Sequence, residues 1–289
     1  MPLSPYLCPI CAAPLTPQSS GTSYHCPMRH NFDLAREGYL NLLPVQHKHS
    51  SEPGDNKSML YARRAFLEAG YYEPMAKAVA MMVAVGRPQG QAMRLLDVGC
   101  GEGYYDRQIH AYCGQSVQIE LHGADIAKAA VAAAAKKLPS ARYIVASSKR
   151  LPYADQYFDT LLRVFAPSDE GELKRLLQPS GRLLIVTPGP RHLAQLKAFI
   201  YSEVREHAEE IVLPQGFERL DTQRISYRIK PDRAARAALL QMTPFAWRTN
   251  PAIRQALDEP EELDIETDFI LTLAIKTAKD HTLEQKTAC

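Results

Sequence analysis

The 289-residue sequence carries almost no excess of charge: 34 Lys and Arg stand against 32 Asp and Glu, a formal net of +2. A balance of that kind neither demands nor excludes a polyanionic partner, so any such partner has to be argued from a local patch. The amino terminus lacks the basic, then apolar, then small-residue succession of a secretory leader. Apolar runs such as "AKAVAMMVAVG" are too short to cross a bilayer. There is no internal repeat and no low-complexity segment. These absences point to a cytoplasmic chain without a membrane partner, in a reducing compartment where disulfides are rare.

What is present is a globular composition, 46% hydrophobic and 23% charged, long enough for one large domain and one small one. Three of the six cysteines fall near the start, in "CPIC" and "CPMRH". In a reducing compartment such clustering points to metal ligands or catalytic thiols. Cys8 with Cys11, and Cys26 with His30, form two facing knuckles that supply four ligands in a tetrahedron, which suits Zn²⁺. Pro9 and Pro27 follow the first ligand of each knuckle and preset the turn. Four protein ligands leave no open position, so the zinc is structural. His25 is a rival fourth ligand, less well placed beside Cys26. Ser19, Ser20 and Gly21 mark a hairpin turn between the knuckles. Cys100, Cys113 and Cys289 are scattered and read as plain buried or tail cysteines.

Residues 1–36 therefore read as a zinc-binding module, 37–57 as an ordered connecting segment, 58–278 as the main domain and 279–289 as a flexible tail. Asn56 or Ser58 is placed to cap a helix that Pro74 interrupts. From "MRLLDVG" onward apolar strands alternate with helices, which predicts a mostly parallel sheet covered on both faces. "RHLAQLKAFIYSEVREH" reads as a helix. "ERLDTQRISYRIK" and "LDIETDFILTLAIKTA", separated by one helix, are strands able to close the sheet as an antiparallel pair.

"LLDVGCGEGYY" is the most informative stretch. A buried strand ends at Asp97, and Gly99, Gly101 and Gly103 lead into a helix, leaving bare backbone for a ligand at the carboxyl end of the sheet. The spacing is tighter than the dinucleotide fingerprint. A carboxylate before the first glycine repels pyrophosphate and favours an ammonium, such as the one S-adenosylmethionine carries. An acid is then expected about twenty residues on, at the end of the next strand, to hold ribose hydroxyls; Asp125 stands there.

Taken with "CPIC…CPMRHNFDLAREGYLNLLPVQHK", "PGD", "ARRAFLEAGYY", "TPGPRHL" and "QMTPFAW", the chain resembles the bacterial 23S rRNA (guanine-N1)-methyltransferases, the RlmA/RrmA-like group related to the macrolide-resistance methyltransferases. The resemblance covers nearly the whole chain. It implies a Rossmann-like methyltransferase domain with a seven-stranded, mostly parallel sheet and a small amino-terminal zinc-ribbon-like domain. It implies S-adenosylmethionine as methyl donor and one structural zinc on Cys8, Cys11, Cys26 and His30. It also implies that Tyr72, Gly101, Glu102 and His192 contact the donor, and that the acceptor is N1 of a hairpin-loop guanine of 23S rRNA, of the guanine-745 type.

Two departures from commoner methyltransferases matter. After the third main-domain strand stands "ASSKRLP", so Ser147, Ser148 or backbone has to meet the adenine amino group. After the fourth stands "FAPSDE" in place of the Asn/Asp-Pro-Pro-aromatic motif of amino-directed enzymes, which fits a ring nitrogen. Asp169 and His192 lie where substrate arrives and are candidates for a general base, Asp169 also being placed as a helix cap. Arg29, Lys48, Arg63 and Arg64 are candidate phosphate contacts, and Tyr24 and Tyr39 candidate stacking surfaces. Two rival functions remain: methylation of a small molecule or protein, with the zinc module as lid or dimer contact, and a non-catalytic RNA-binding adaptor. The oligomeric state stays open, a homodimer included.

Overall fold

Leu95 and Leu96 are neighbours, both fully buried, yet they pack into two different apolar clusters. A strand buried on both faces requires that, because successive side chains point to opposite sides. Leu161 against Leu162 and Leu183 against Leu184 repeat the pattern. In the computed structural model, which describes residues 4–47, 54–86, 92–113 and 117–277, these segments join one sheet.

The described chain begins with β1 (Thr16–Pro17), β2 (Ser23–His25), β3 (Asn31–Asp33) and β4 (Tyr39–Asn41), then α1 (Lys57–Glu68) and α2 (Glu73–Ala84). An alternating run follows: β5 (Ala92–Val98), α3 (Tyr104–Cys113), β6 (Gln118–Asp125), α4 (Lys128–Lys137) and β7 (Arg142–Val145). Next come β8 (Phe158–Val164), α5 (Glu170–Leu176), β9 (Leu177–Pro188) and α6 (Ala194–Ala198). The chain closes with β10 (Phe217–Ile229), α7 (Arg233–Gln241), α8 (Pro251–Asp258) and β11 (Ile265–Lys276). The large sheet has the order β10-β11-β9-β8-β5-β6-β7-β4. Strands β4 to β9 pair in parallel, and β11 joins β9, and β10 joins β11, antiparallel. Loops that leave β5 and β8 in opposite directions create a crevice at the carboxyl ends of the strands.

The seven strands expected of the main domain are all present, and the connecting segment adds an eighth at the edge. Tyr39, Leu40 and Asn41 pair with Tyr143, Ile144 and Val145. That register buries Tyr39, so it offers no ring for stacking on a base. The helix expected over 191–207 shrinks to Ala194–Ala198. Beyond it residues 205–210 are exposed throughout, and a segment without an apolar stripe has nothing to hold it helical. Two helices, not one, separate β10 from β11, joined by a single 3₁₀ turn at Pro244–Arg248. Asn56 caps α1, its side chain accepting from the Met59 N–H at 3.0 Å, and Pro74 stands in the first turn of α2. Lys48 and the tail over 279–289 lie outside the described residues.

One face of the sheet is covered by α1 to α4, through Phe66, Met75, Val79, Ile109 and Val131. The other is covered by α5 together with the amino-terminal module: Tyr6, Cys8, Leu15 and Cys26 share a cluster with Leu96, Ile144, Leu161, Leu173 and Leu183. The module is thus a layer of the fold. Buried Tyr6 and Leu15 contribute about 1.5–3 kcal/mol each to holding it there.

Gly123 in β6 lets the Tyr143 ring cross the strand; an added Cβ would stand 2.5 Å from two ring carbons. Gly123→Ala is expected to destabilise the chain by about 1–3 kcal/mol through overpacking. A urea midpoint unchanged from wild type would contradict this.

Candidate functional site

The two knuckles converge. Cys8 Sγ stands 3.5 Å and Cys26 Sγ 3.3 Å from His30 Nδ1, and Cys11 Sγ lies 3.6 Å from Cys26 Sγ. All four ligand atoms lie within 4.8 Å of one another. Zinc–ligand bonds of about 2.0–2.3 Å at tetrahedral angles place ligand atoms about 3.5–3.8 Å apart, so three thiols and an imidazole at this spacing fit Zn²⁺. The knuckles are built alike: the Ala12 and Arg29 N–H groups donate back to the Cys8 and Cys26 carbonyls at 2.8 and 2.9 Å. Ala12 and Arg29 both adopt left-handed backbone, at φ 59° and 64°. His25 is exposed on β2 and outside the cluster.

At the carboxyl end of β5 the glycine loop folds against β6. The Gly99 and Cys100 N–H groups donate to the Ala124 carbonyl at 2.8 and 3.2 Å. Asp125 spans two backbone donors, Gly101 N–H at 3.0 Å and Ala127 N–H at 2.8 Å. Gly101 has a positive φ, and a Cβ there would meet nothing within 4 Å; its bare backbone faces open space. Gly99 and Gly103 are different: a Cβ would stand 2.4 Å from Ala166 Cβ and 2.8 Å from the Tyr143 hydroxyl. They serve close packing, whereas Gly101 leaves space beside its backbone.

Beneath the loop lies Asp97, 1% exposed, with no hydrogen-bond partner for either carboxylate oxygen. Burial pushes its pKa well above the carboxylate range, and the Asp106 carboxyl and then Asp125 add to the effect. Burial likewise raises Asp106 to about 7, while the Tyr143 hydroxyl, donating at 3.0 Å, restrains the shift. Two buried acids without a cation keep a proton at neutral pH. They suit a ligand that brings an ammonium, as S-adenosylmethionine does.

Tyr72 and His192, 120 residues apart in sequence, meet: Tyr72 Oη lies 3.4 Å from His192 Nε2. The Asp268 backbone N–H donates to His192 Nδ1 at 3.2 Å, which places the ring proton on Nε2, directed at the Tyr72 oxygen. Burial, then the charges of Lys197 and His207, lower His192 to about 3. His192 is therefore a neutral donor and not a proton acceptor. Asp268, near the start of β11, accepts two bonds from Arg224 at 2.8 Å and one from the Arg191 N–H at 3.0 Å. The sequence offered one sign of it, an acid interrupting the apolar run "TDFILTLAI".

Phe165 was not foreseen as a site residue. It follows β8 directly, is 45% exposed and holds left-handed backbone at φ 53°. Its ring stacks on His192 with centroids 6.0 Å apart and planes at 30°. An exposed large side chain in a conformation costing about 1–3 kcal/mol marks a functional position.

Ser147 and Ser148 stand just past β7, half-buried beside Asp125, whose carbonyl accepts from the Ala146 N–H at 3.0 Å. Glu102 is taken up by Arg64, which donates twice at 2.6 Å, with Lys137 at 3.3 Å. Only the Glu102 backbone is left to face a ligand. Arg63 pairs with Asp55 and donates to the Met242 carbonyl at 3.2 Å. Both arginines thus brace the site from α1 and are not free for phosphate. Arg29 is exposed, and Tyr24 is half-buried edge-on against Tyr6. Asp169 caps α5, accepting from the Glu172 N–H at 3.0 Å.

A parallel sheet with a glycine loop and a partnerless acid at its carboxyl edge, joined to a zinc-type knuckle pair, defines an S-adenosylmethionine-dependent RNA methyltransferase with a zinc ribbon. Known families agree: the profile described as "RlmA, N-terminal" matches residues 6–51 and that described as "Methyltransferase domain" matches residues 95–184. The 23S rRNA (guanine(748)-N(1))-methyltransferase of Streptomyces fradiae is 34% identical over 249 residues, 84% of this chain and 86% of its own length. YxjB of Bacillus subtilis (strain 168) is 30% identical over 284 residues, 94% of this chain and 98% of its own. The chain belongs to the 23S rRNA (guanine-N1)-methyltransferase family. Among the described residues no helix is long and apolar enough to cross a membrane.

Two outcomes are expected. Elemental analysis should find one zinc per chain, and its removal by a chelator should lower the melting temperature of the whole molecule in one calorimetric transition, because the knuckles seal a face of the sheet. A main transition that stays in place while a small one disappears would contradict this. Second, the folded chain holds its buried acid protons to higher pH than the unfolded chain, so these acids leave folding unaffected below about pH 4 and weaken it increasingly as pH rises through their folded-state values, that of Asp106 lying at about 7. A bound ammonium relieves them. Calorimetry of S-adenosylhomocysteine binding should show proton release, and affinity rising with pH by up to about tenfold per unit until the acids of the free chain are ionised. Asp97→Asn should flatten that rise; a variant keeping the full slope would contradict the assignment.

Proposed function

We propose that the protein methylates N1 of a guanine in a hairpin loop of 23S rRNA, at position 745 or at the neighbouring position that names the Streptomyces fradiae relative, 748. We place this activity in the cytoplasm. The observation that carries the proposal is Asp97, buried and partnerless beneath the bare backbone of Gly101, which supports a donor site at the edge of the sheet. Asp97 takes the donor ammonium, Asp125 the ribose hydroxyls, and Ser147 or Ser148 the adenine amino group. The Gly99–Gly103 loop, through Gly101 and the Glu102 backbone, lies along the donor with Tyr72 and His192.

Bound S-adenosylmethionine supplies an electrophilic methyl on a sulfonium, so the task of the chain is alignment with the attacking nitrogen. N1 lies on the Watson–Crick edge and is hidden in a duplex, so the guanine has to be unpaired or extruded. Phe165 presents an aromatic face at the right end of the sheet to hold such a base by stacking. His192, committed to the Tyr72 oxygen, leaves the Tyr72 hydroxyl proton free to donate. Neither side chain takes the proton that N1 must lose. In this scheme the zinc module (1–36), the connection (37–57) and the catalytic domain (58–278) form one RNA-facing body, with Arg29 among its phosphate contacts.

Labelled donor and naked 23S rRNA test the proposal: label should enter the RNA, and primer extension should stop beside one loop guanine. Label found only in protein or small molecules would refute it. Phe165→Ala should lower kcat/KM by about 10–100-fold with donor affinity nearly unchanged, and Phe165→Tyr should restore it.

A further inference from the structure

The sequence contains one tryptophan, and the fold leaves it 75% exposed. Burial of an indole is among the largest stabilising contributions a side chain can make, so an outward-facing one forfeits stability. It is also not loosely mounted. Trp247 sits on the 3₁₀ turn Pro244–Arg248, whose ends are fastened by the hydroxyls of Thr243 and Thr249, donating to the Leu240 and Ala246 carbonyls at 2.9 and 3.0 Å. Asn250 then caps α8, its side chain accepting from the Ile253 N–H at 2.9 Å. The turn is held so that Phe245 packs inward on the main core, edge-on to Tyr201 at 6.1 Å, while Trp247 faces out.

Its segment is tied to elements of the candidate site. On one side the Met242 carbonyl is tied to Arg63, the cation whose charge acts on Asp125. On the other, Tyr201 follows α6, which starts two residues after His192. The segment itself carries cations: residues 233–257 contain Arg233, Arg236, Arg248 and Arg254 and no acid, with Asp232 and Asp258 at its two ends. Arg236 is buried on backbone carbonyls and Arg233 holds the Asp258 carbonyl. Arg248 and Arg254 are exposed, Arg248 lying over the Tyr201 ring at 5.7 Å. An exposed indole followed in the chain by two exposed guanidiniums has the chemistry of a single-stranded nucleic-acid contact, an aromatic face for a base and cations for its phosphates.

We propose that Trp247 is a stacking platform for a nucleotide flanking the target guanine, with Arg248 and Arg254 on the adjoining phosphates. The proposal rests on the RNA activity proposed above. It places a second RNA contact, besides Phe165, on the segment between β10 and β11.

The lone indole reports on itself. Its fluorescence in the full-length, zinc-loaded chain should be quenched as a 23S rRNA hairpin fragment is added, and unaffected by S-adenosylhomocysteine alone. Trp247→Ala should raise the RNA Kd by about 5- to 100-fold, with kcat at saturating RNA, donor affinity and melting temperature unchanged; Trp247→Phe should fall between. RNA that is bound and methylated without quenching, and with equal affinity for the Ala variant, would overturn the platform while leaving the methyltransferase activity standing. A Trp247→Ala variant that changes sedimentation from dimer to monomer while RNA affinity stays equal would overturn it too, in favour of a contact between copies. RNA neither bound nor methylated would sink both proposals.

Discussion

Two carboxyl groups buried side by side without a cation are the constraint around which the catalytic edge is built. Asp97 and Asp106 lie under the loop that joins β5 to α3, 1% and 0% exposed, and a low-dielectric interior penalises their charge. The chain offsets this with the Tyr143 hydroxyl on Asp106 and leaves Asp97 only the neighbouring Asp106 carboxyl. Such an arrangement persists only where the surrounding packing over-determines it. Gly123 makes room for the Tyr143 ring, and Gly103 brings α3 within reach of both. In the proposed donor site, a ligand that carries a positive group to that spot would recover the stability forfeited in the free chain, and affinity and specificity for a zwitterionic donor would come from the same buried carboxyl.

The amino-terminal module follows a similar economy. A segment of this length has little core of its own, and here it does not need one, because Tyr6, Cys8, Leu15 and Cys26 complete the cluster under β5, β7 and β8. In a doubly wound sheet that face is ordinarily covered by helices. Here α5 covers part and the knuckles cover the rest. The connecting segment reinforces the join by entering the sheet as β4 beside β7. Any motion of the metal-binding turns relative to the donor cleft is thereby restricted, which suits a body that reads a folded RNA more than it suits a hinged lid.

What was legible in the sequence was whatever depends on local spacing. Cys8, Cys11, Cys26 and His30 are near neighbours in the chain, and Asp97, the glycines and Asp125 fall on two consecutive strands; in each case spacing alone implies proximity. Pairings across long separations were not legible. That Tyr72 meets His192 came from resemblance, and no periodicity would have given it. The strand at Tyr39–Asn41 was hidden because three residues carry too little alternation to declare themselves. Tyr39 therefore looked available when its register buries it. Arg64 looked like a surface cation because Glu102 is brought to it only by the packing of α1 against the loop, and Arg63 because its partners are Asp55, in the turn before α1, and the distant Met242 carbonyl. The helix expected after β9 failed for a reason visible afterwards, the lack of any apolar stripe beyond Phe199.

The protonation of His192 bears on what kind of acceptor the cleft suits. An imidazole that accepts from a backbone N–H and donates to a tyrosine, with burial holding it neutral, is a fixed dipole. A site that had to strip a proton from a weakly acidic nucleophile by its own side chain would place an imidazole or carboxylate with a free lone pair at the mouth. Among the described residues there, Asp169 is spent on the α5 cap and Asp268 on Arg224 and Arg191. What remains at the carboxyl edge is oriented donors and an exposed aromatic face. That combination favours an acceptor whose proton leaves to solvent once the base is held in line, with the rate set by alignment more than by proton abstraction. A heterocyclic nitrogen whose ring can lie flat on the exposed face of Phe165 fits it.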